Sequence, residues 1–165
     1  MPNQNFDNLI VMMPESLTNE DRQYIIDFYA REGVDNIFRL SSEKKILPFV
    51  AHTLMYLHCD EDFWRYYHEY YVLRNSRIVE VLDQLFKAFS HKGCKSVCLT
   101  ENFAACLTAK YCLGCFCSSD VDISADPGEA SKIRDVLHEL GYIRVSRRLY
   151  RSKVYQDEYI CPVDI

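Results

Sequence analysis

The sequence lacks a cluster of positive charge, a long apolar run and a signal-like N-terminus. Its 19 Lys and Arg residues are scattered among 24 Asp and Glu residues, and the formal net charge is −5. Non-specific nucleic-acid binding requires clustered positive charge, so this class of function is not indicated. No run reaches the roughly 18 apolar residues that span a bilayer, and no basic region precedes the short N-terminal apolar run. We therefore predict a cytoplasmic protein that does not associate with membranes.

The sequence also has no internal repeat, low-complexity stretch or long linker. A chain of 165 residues that is 48% hydrophobic and 26% charged has the composition of an ordinary folded protein. This length suits one domain, or a helical segment that leads into a small α/β unit. We expect the two halves of the chain to pack as one body.

The first half of the chain has helical periodicity. A first helix is predicted over 18–31, because Thr18 and Asp21 resemble a capping box and Gly33 is a typical helix end. A second start signal at Ser41 or Ser42 predicts a short helix that is kinked or begins near Pro48. The apolar spacing and acidic first turn of 60–90 predict a long helix.

The periodicity changes after residue 92. The pattern predicts a strand at 95–100, a helix at 101–112, a strand at 120–124 and a helix at 127–142. Two alternating segments follow, 143–152 and 154–165, which could pair antiparallel. The predicted fold class is α+β, with a helical region, 1–92, packed on a small mixed-sheet core, 93–165, of order β-α-β-α-β-β.

Two aspartates, Asp120 and Asp122, lie one residue apart in a predicted strand. Residues at i and i+2 of a strand share one face, so the two carboxylates can converge while Val121 and Ile123 turn into the core. Paired carboxylates suit Mg²⁺, and a third carboxylate, Asp164 in "PVDI", could complete a two-ion site. An ordinary polar strand edge is the alternative that the spacing alone leaves open.

Eight cysteines are present, and reduced thiols are expected because no secretion signal accompanies them. The crowded Cys112, Cys115 and Cys117 permit a zinc hypothesis, in which the ion would stabilise a helical adaptor. No second CxxC pair follows at zinc-ribbon spacing. The histidines show no ligand pairing with these cysteines in the sequence and are predicted to be surface or helix-end residues: His52, His58, His68, His91 and His138.

Several segments in order resemble a family of bacterial nucleotidyltransferases in the polymerase-beta-like superfamily. They read "KKILPFVAHTLMYL", "LRNSRIVEVLDQLFKAFSHKGCKSVCLT", "DVDISADPGEASKIRDVLHELGY" and the final "VDI". The family has a helical region, a strand that ends in Leu-Lys-Gly, an Asp-hydrophobic-Asp strand, a helix that closes in Leu-x-x-x-Gly-Tyr, and a later "V-D-h-H-W" strand. The likeness covers residues 42–165, and it implies that 93–165 is a nucleotidyltransferase core.

The resemblance implies a magnesium-dependent transfer of a nucleoside monophosphate from a nucleoside triphosphate to an unknown acceptor. Asp120 and Asp122 would bind Mg²⁺, and Asp164 would be the third carboxylate, which orients or deprotonates the acceptor hydroxyl. The residues that would contact the nucleotide phosphates are Thr100, Asn102, Ser118 and Ser119. The charge favours a small molecule or a protein over nucleic acid as the acceptor.

Two departures from the family pattern bear on activity. Thr100-Glu101-Asn102 stands where the family has Lys-Gly, so a carboxylate replaces a cation and a bulkier residue replaces glycine. The family's arginine before the aspartate pair is also missing from "LGCFCSS". The family's later helices do not follow "PVDI", which is consistent with a fragment or a short version. The alternative function is a degenerate nucleotidyltransferase fold that acts as a nucleotide-binding or protein-interaction module.

Overall fold

The chain forms two compact units in the structure, a computed structural model. It describes residues 6–100, 112–116 and 121–145, and the backbone of 149–152 and 163–164. The first unit comprises Met1–Leu73 and Tyr111–Cys117, and the second comprises Arg74–Lys110 and Ser118–Ile165. The division therefore falls inside a helix, after Leu73, and differs from the predicted boundary between 92 and 93.

The first unit is helical. Its helices are α1 (Phe6–Ile10), α2 (Asn19–Glu32), α3 (Val34–Glu43), α4 (Leu47–Tyr56) and the first part of α5 (Glu61–His91). Short 3-10 helices lie at Pro14–Ser16 and Leu113–Cys115. None of the helices in the described part of the chain is long and apolar enough to cross a membrane.

The core of the first unit contains a buried polar chain around Trp64, the one tryptophan of the sequence. Trp64 is fully buried, and its indole N–H donates to the hydroxyl of Tyr29 at 3.2 Å. That hydroxyl in turn donates to the carboxylate of Asp60. Burial and the hydrogen bond to Asp60 raise the pKa of Tyr29. This series of hydrogen bonds fixes α2 against the start of α5, because each buried donor in it has an acceptor.

The second unit is a five-stranded mixed sheet with helices. Its strands are β1 (Cys98–Leu99), β2 (Val121–Ser124), β3 (Tyr142–Arg144), β4 (Leu149–Ser152) and β5 (Val163–Asp164), in the sheet order β1-β2-β5-β4-β3. β2 and β5 are parallel, and the other neighbouring pairs are antiparallel. The helix α6 (Ala130–Glu139) follows a 3-10 turn at Pro127–Glu129. The protein is therefore an α+β protein.

The core of the second unit forms between the sheet and two helices. α5 contributes four buried residues at helical spacing: Ile78, Leu82, Leu85 and Phe89. They join Val121 and Ile123 of β2 with Ile133 and Leu137 of α6. Because these side chains lie on one face of β2, the other face of that strand remains available for polar residues.

Glu129 ties the chain that leads into β1 to the turn before α6. Its carboxylate accepts the backbone N–H of Lys95 at 2.9 Å, and both the N–H and the hydroxyl of Ser96, at 3.0 and 2.6 Å. The hydrogen bonds from Ser96 and from the backbone of Lys95 lower the pKa of Glu129 to about 2. One carboxylate thus satisfies three donors of a segment that has little regular structure.

Most of the predicted helices are present in the first half of the chain, but one predicted start is wrong. The helices predicted at 18–31 and 60–90 are confirmed as α2 and α5, and the capping box at Thr18 is formed. The start signal at Ser41 and Ser42 is wrong, since both residues lie inside α3, and α4 begins next to Pro48 as predicted. Their hydroxyls donate to the carbonyl of Phe38 within the helix instead of capping a new one.

The strands are also shorter and more numerous than predicted. The segment predicted at 95–100 is a strand only at Cys98–Leu99, and 143–152 contributes to two paired strands. The antiparallel pairing predicted for the two final segments is confirmed between β4 and β5. The predicted helix 127–142 is shorter, a 3-10 turn followed by α6. The helix predicted at 101–112 lies outside the described residues, except that Cys112 is not helical.

We expect Tyr29→Phe to destabilise the first unit by about 1–3 kcal/mol, because it leaves the buried indole N–H of Trp64 without its acceptor. Trp64 fluorescence during urea unfolding measures this loss directly. The matched control Tyr66→Phe removes an exposed hydroxyl and should change the unfolding free energy little. Equal stability of Tyr29→Phe and Tyr66→Phe would contradict the role of the hydrogen-bonded chain.

We expect Glu129→Gln to lower the thermal stability of the second unit at pH 7. The folded pKa of about 2 lies below the ordinary value of 4.5, so the carboxylate stabilises above pH 4.5 and this contribution is lost as the pH falls toward 2. The difference in melting temperature between wild type and variant should therefore shrink over that range. The control Glu80→Gln removes an exposed carboxylate paired with Arg77. A difference that stays constant with pH would refute this assignment.

Candidate functional site

β2 presents Asp122 on the face of the sheet opposite the core. Val121 and Ile123 are buried in the core at 1% and 4% exposure, and Asp122 between them is half-buried. The alternation predicted for this strand is therefore confirmed at these three positions. Asp120 precedes the strand and lies outside the described residues.

The register of the sheet brings the position of Asp164 next to Asp122. β5 runs parallel to β2, and the Cα of Asp122 pairs with the Cα of Asp164. Neighbouring strands lie about 4.8 Å apart, and positions paired across a ladder share a face. Carboxylates at two such positions are close enough to bind one hard cation or a pair of them.

Thr100, predicted to contact phosphate, is hydrogen-bonded to the sheet. Its backbone N–H donates to the carbonyl of Asp122 at 2.9 Å, and its hydroxyl donates to the same carbonyl at 3.2 Å. The backbone hydrogen bond extends the β1–β2 pairing by one residue, and both bonds hold the end of β1 beside Asp122. The other predicted phosphate contacts lie outside the described residues: Asn102, Ser118 and Ser119.

A second group of reactive side chains lies in the first unit, where a turn meets two helices. Cys112 precedes the 3-10 helix Leu113–Cys115 and Cys115 ends it, while His52 lies on α4 and His68 lies on α5. Ligand atoms of His52, His68 and Cys112 all lie within 4.8 Å of one another. Cys115 adjoins this group through His52, and we call the four residues the His/Cys cluster.

Short contacts connect the His/Cys cluster. Cys112 Sγ is 3.6 Å from His68 Nε2, and Cys115 Sγ is 3.2 Å from His52 Nδ1. The two imidazole rings stack with their centroids 5.0 Å apart. Cys115 is 1% exposed and His68 is 9% exposed. His68 Nδ1 is buried and has no hydrogen-bond partner among the described residues. Buried polar atoms in folded proteins nearly always have such a partner, so this nitrogen is an exception.

Hydrogen bonds to the sulfur of Cys112 favour its thiolate. The Cys115 thiol, the His68 ring and the backbone N–H of Gly114 all contribute, and together they lower the pKa of Cys112 to about 4 against the opposing effect of burial. The Gly114 bond is 3.3 Å long. Burial lowers the pKa of His52, which favours its neutral ring. A thiolate beside a neutral imidazole is a combination that borderline and soft metal ions bind.

Gly114 allows the turn to approach His68 closely. A Cβ at this position would lie 2.3 Å from Cε1 and 2.5 Å from Nδ1 of the His68 ring, and 2.8 Å from Cγ2 of Val72. These distances are shorter than any normal contact. A residue without a side chain is therefore required between the two cysteines.

The predicted absence of pairing between histidines and cysteines is wrong for His52 and His68. His68 was assigned to the surface or a helix end, yet it is buried on α5 in the same stripe as Trp64 and Asn75. The apolar spacing of 78–89, extended backwards in steps of three or four, passes through 75, 72, 68 and 64 and could have placed His68 inside. His58, with a side chain 78% exposed, and His91 at the end of α5 fit the prediction. Cys117 lies outside the described residues.

Comparison with protein-family models, with curated proteins and with solved structures finds no match for this chain. The resemblance to nucleotidyltransferases therefore rests on the sequence motifs alone.

We expect Gly114→Ala to destabilise the first unit by about 1–3 kcal/mol, because the methyl group would displace the His68 ring or the turn. Urea unfolding followed by Trp64 fluorescence measures the loss. The control Gly128→Ala would meet one side-chain oxygen, of Asp126, at 3.0 Å, and it should leave the fluorescence transition of the first unit unchanged. An unaltered transition for Gly114→Ala would show that the turn does not need this close approach.

Proposed function

We propose that this protein is a magnesium-dependent nucleotidyltransferase-like protein, which transfers a nucleoside monophosphate from a nucleoside triphosphate to a small molecule or protein. The observation that carries the proposal is the pairing of Asp122 with Asp164 on adjacent parallel strands. These two residues were assigned to one site from separate motifs, 42 residues apart in the chain. Their register agrees with that assignment, as does the location of Asp122 on the face away from the core.

The order of elements also supports the proposal. A short strand leads, after residues 101–111, to the turn at 112–115 and the aspartate strand. The helix α6 then ends at Glu139, and Leu140-Gly141 connects it to β3, which begins at Tyr142. Among the described residues, these elements occur in the motif order of the family that the chain resembles. A fold can carry several functions, so the aspartate site and not the topology decides the reaction class.

The proposed roles follow from charge. Asp120, Asp122 and Asp164 would hold Mg²⁺, which when bound neutralises the phosphate oxygens and the leaving pyrophosphate. Asp164 would also orient or deprotonate the acceptor hydroxyl, so that its oxygen attacks the α-phosphorus while the bond to pyrophosphate breaks. Thr100 would fix the end of β1 beside Asp122 through its bonds to the Asp122 carbonyl. Asn102, Ser118 and Ser119 would donate hydrogen bonds to phosphate.

One observation favours a second candidate, a module that binds a nucleotide or a protein without catalysis. Glu101 and Asn102 stand where the resembling family has lysine and glycine, and a carboxylate repels a triphosphate. The Thr100 hydroxyl also donates its hydrogen to the carbonyl of Asp122 and so does not donate it to a phosphate. Binding without turnover would identify this second candidate.

We expect a nucleoside triphosphate to bind in the presence of Mg²⁺, and Asp122→Asn to weaken that binding at least tenfold, about 1.4 kcal/mol. Isothermal titration with ATP, GTP, CTP and UTP, with and without Mg²⁺, measures this. The control Asp135→Asn removes an exposed carboxylate of α6 and should bind like wild type. Melting temperatures of both variants show whether a loss comes from unfolding.

Failure of all four nucleotides to bind the folded wild-type chain would refute the nucleotidyltransferase proposal. A further variant, Glu101→Lys with Asn102→Gly, tests the departure from the family pattern. Tighter nucleotide binding by this variant would indicate that the native segment weakens a genuine phosphate site. Binding that is insensitive to both Asp122→Asn and this double change would place the nucleotide elsewhere and overturn the proposed site.

A further inference from the structure

We propose that the His/Cys cluster of the first unit is a structural zinc site, with His52, His68, Cys112 and Cys115 as its four ligands. The proposal concerns a different unit, and a different donor chemistry, from the aspartates of β2 and β5. It does not depend on the nucleotidyltransferase proposal. The four residues come from three separate stretches of chain: α4, α5 and the turn at 112–115.

Two sulfur–nitrogen distances in the cluster fit a tetrahedral zinc ion. The ligand atoms of His52, His68 and Cys112 lie within 4.8 Å of one another, and Cys115 joins them through its contact with His52 Nδ1. Zn–S bonds of about 2.3 Å and Zn–N bonds of about 2.0–2.1 Å at tetrahedral angles place sulfur and nitrogen about 3.5 Å apart. The two cross-pairs have this spacing, with 3.6 Å between Cys112 Sγ and His68 Nε2 and 3.2 Å between Cys115 Sγ and His52 Nδ1.

The donor set selects zinc among the common ions. Two sulfurs and two imidazole nitrogens in tetrahedral arrangement are typical of Zn²⁺, whereas Mg²⁺ and Ca²⁺ take oxygen ligands. Zinc binds cysteine as the thiolate and histidine as the neutral ring.

The turn has the features of a metal-binding CxxC segment. The Gly114 N–H donates to Cys112 Sγ, and the Cys115 N–H donates to the Cys112 carbonyl at 2.9 Å, which closes the turn between the two cysteines. Gly114 carries no side chain where the His68 ring approaches. Backbone N–H groups aimed at a sulfur stabilise its negative charge, as they do around other ligating thiolates.

The site is structural in character because protein side chains would fill all four positions. A zinc ion with four protein ligands has no open position for water or substrate. Cys115 and His68 are at most 9% exposed, so these two ligands are held away from solvent, while His52 and Cys112 are half-buried. The ion would cross-link α4, α5 and the turn at 112–115. In the sequence, 43 residues separate His68 on α5 from Cys112 in the turn. A cross-link that closes such a long segment stabilises the folded chain.

The test is metal analysis of the full chain, purified under reducing conditions without chelators or affinity metals. We expect about one zinc per chain by elemental mass spectrometry. His68→Ala and Cys115→Ser should each lose most of this zinc. The matched controls His58→Ala and Cys59→Ser change the same residue types in the same unit, outside the cluster, and should keep it.

Titration with Co²⁺ keeps the proposal testable if the cluster variants fail to fold. Wild-type chain stripped with a chelator should take up one equivalent of Co²⁺ and develop the visible bands of tetrahedral coordination with thiolate charge transfer. Zn²⁺ should displace the Co²⁺ and raise the melting temperature of the stripped chain, as Trp64 fluorescence reports.

Three outcomes would overturn the zinc proposal. The reduced wild-type chain could contain no zinc and give no tetrahedral Co²⁺ spectrum. Metal could be retained equally by the cluster variants and by wild type, as for an ion bound elsewhere. Cys112 and Cys115 could be joined by a disulfide whose reduction restores no metal binding, which would identify a redox pair.

Discussion

The buried stripe of α5 is the constraint on which both units depend. One 31-residue helix supplies Trp64 to the core of the first unit and Ile78, Leu82, Leu85 and Phe89 to the core of the second. Residues three or four apart lie on one face of a helix, so this stripe also determines which polar side chains are buried. His68 and Asn75 fall within it and are therefore removed from water. A polar group in such a position requires a partner, because burial without one costs free energy.

The two candidate sites differ in the chemistry that their surroundings favour. In the second unit, the apolar residues of β2 are used by the core, which leaves Asp122 on the other face beside the position of Asp164. Oxygen ligands in such a place suit hard cations and phosphate chemistry. In the first unit, sulfur and imidazole groups meet within a partly buried cluster where Gly114 permits close approach. The proposed zinc would be part of the fold there, while the proposed Mg²⁺ would be part of the reaction.

Local signals in the sequence predicted the elements whose ends are chemically marked. The Thr18–Asp21 capping box and Gly33 gave α2 its bounds, and the acidic first turn of α5 gave that helix its start. The prediction failed at Ser41 and Ser42, because a serine hydroxyl can either cap the start of a helix or donate to a carbonyl inside one. Here both hydroxyls donate to the carbonyl of Phe38 within α3. The extent of β1 was also overestimated, because its ladder with β2 comprises only Cys98 and Leu99, with one further hydrogen bond from Thr100. Pairing of strands depends on a neighbour that no local pattern specifies.

By itself, the sequence determined the α+β class, the alternation that buries Val121 and Ile123, and the presence of a CxxC segment. These properties follow from the periods of helix and strand and from residue types, which are local. Only the tertiary structure paired Asp122 with Asp164 in parallel register and brought His52 and His68 to Cys112 and Cys115. Both results join residues that are more than 40 positions apart. Contacts over such separations are set by how the cores pack, and a single sequence carries no local signal for them.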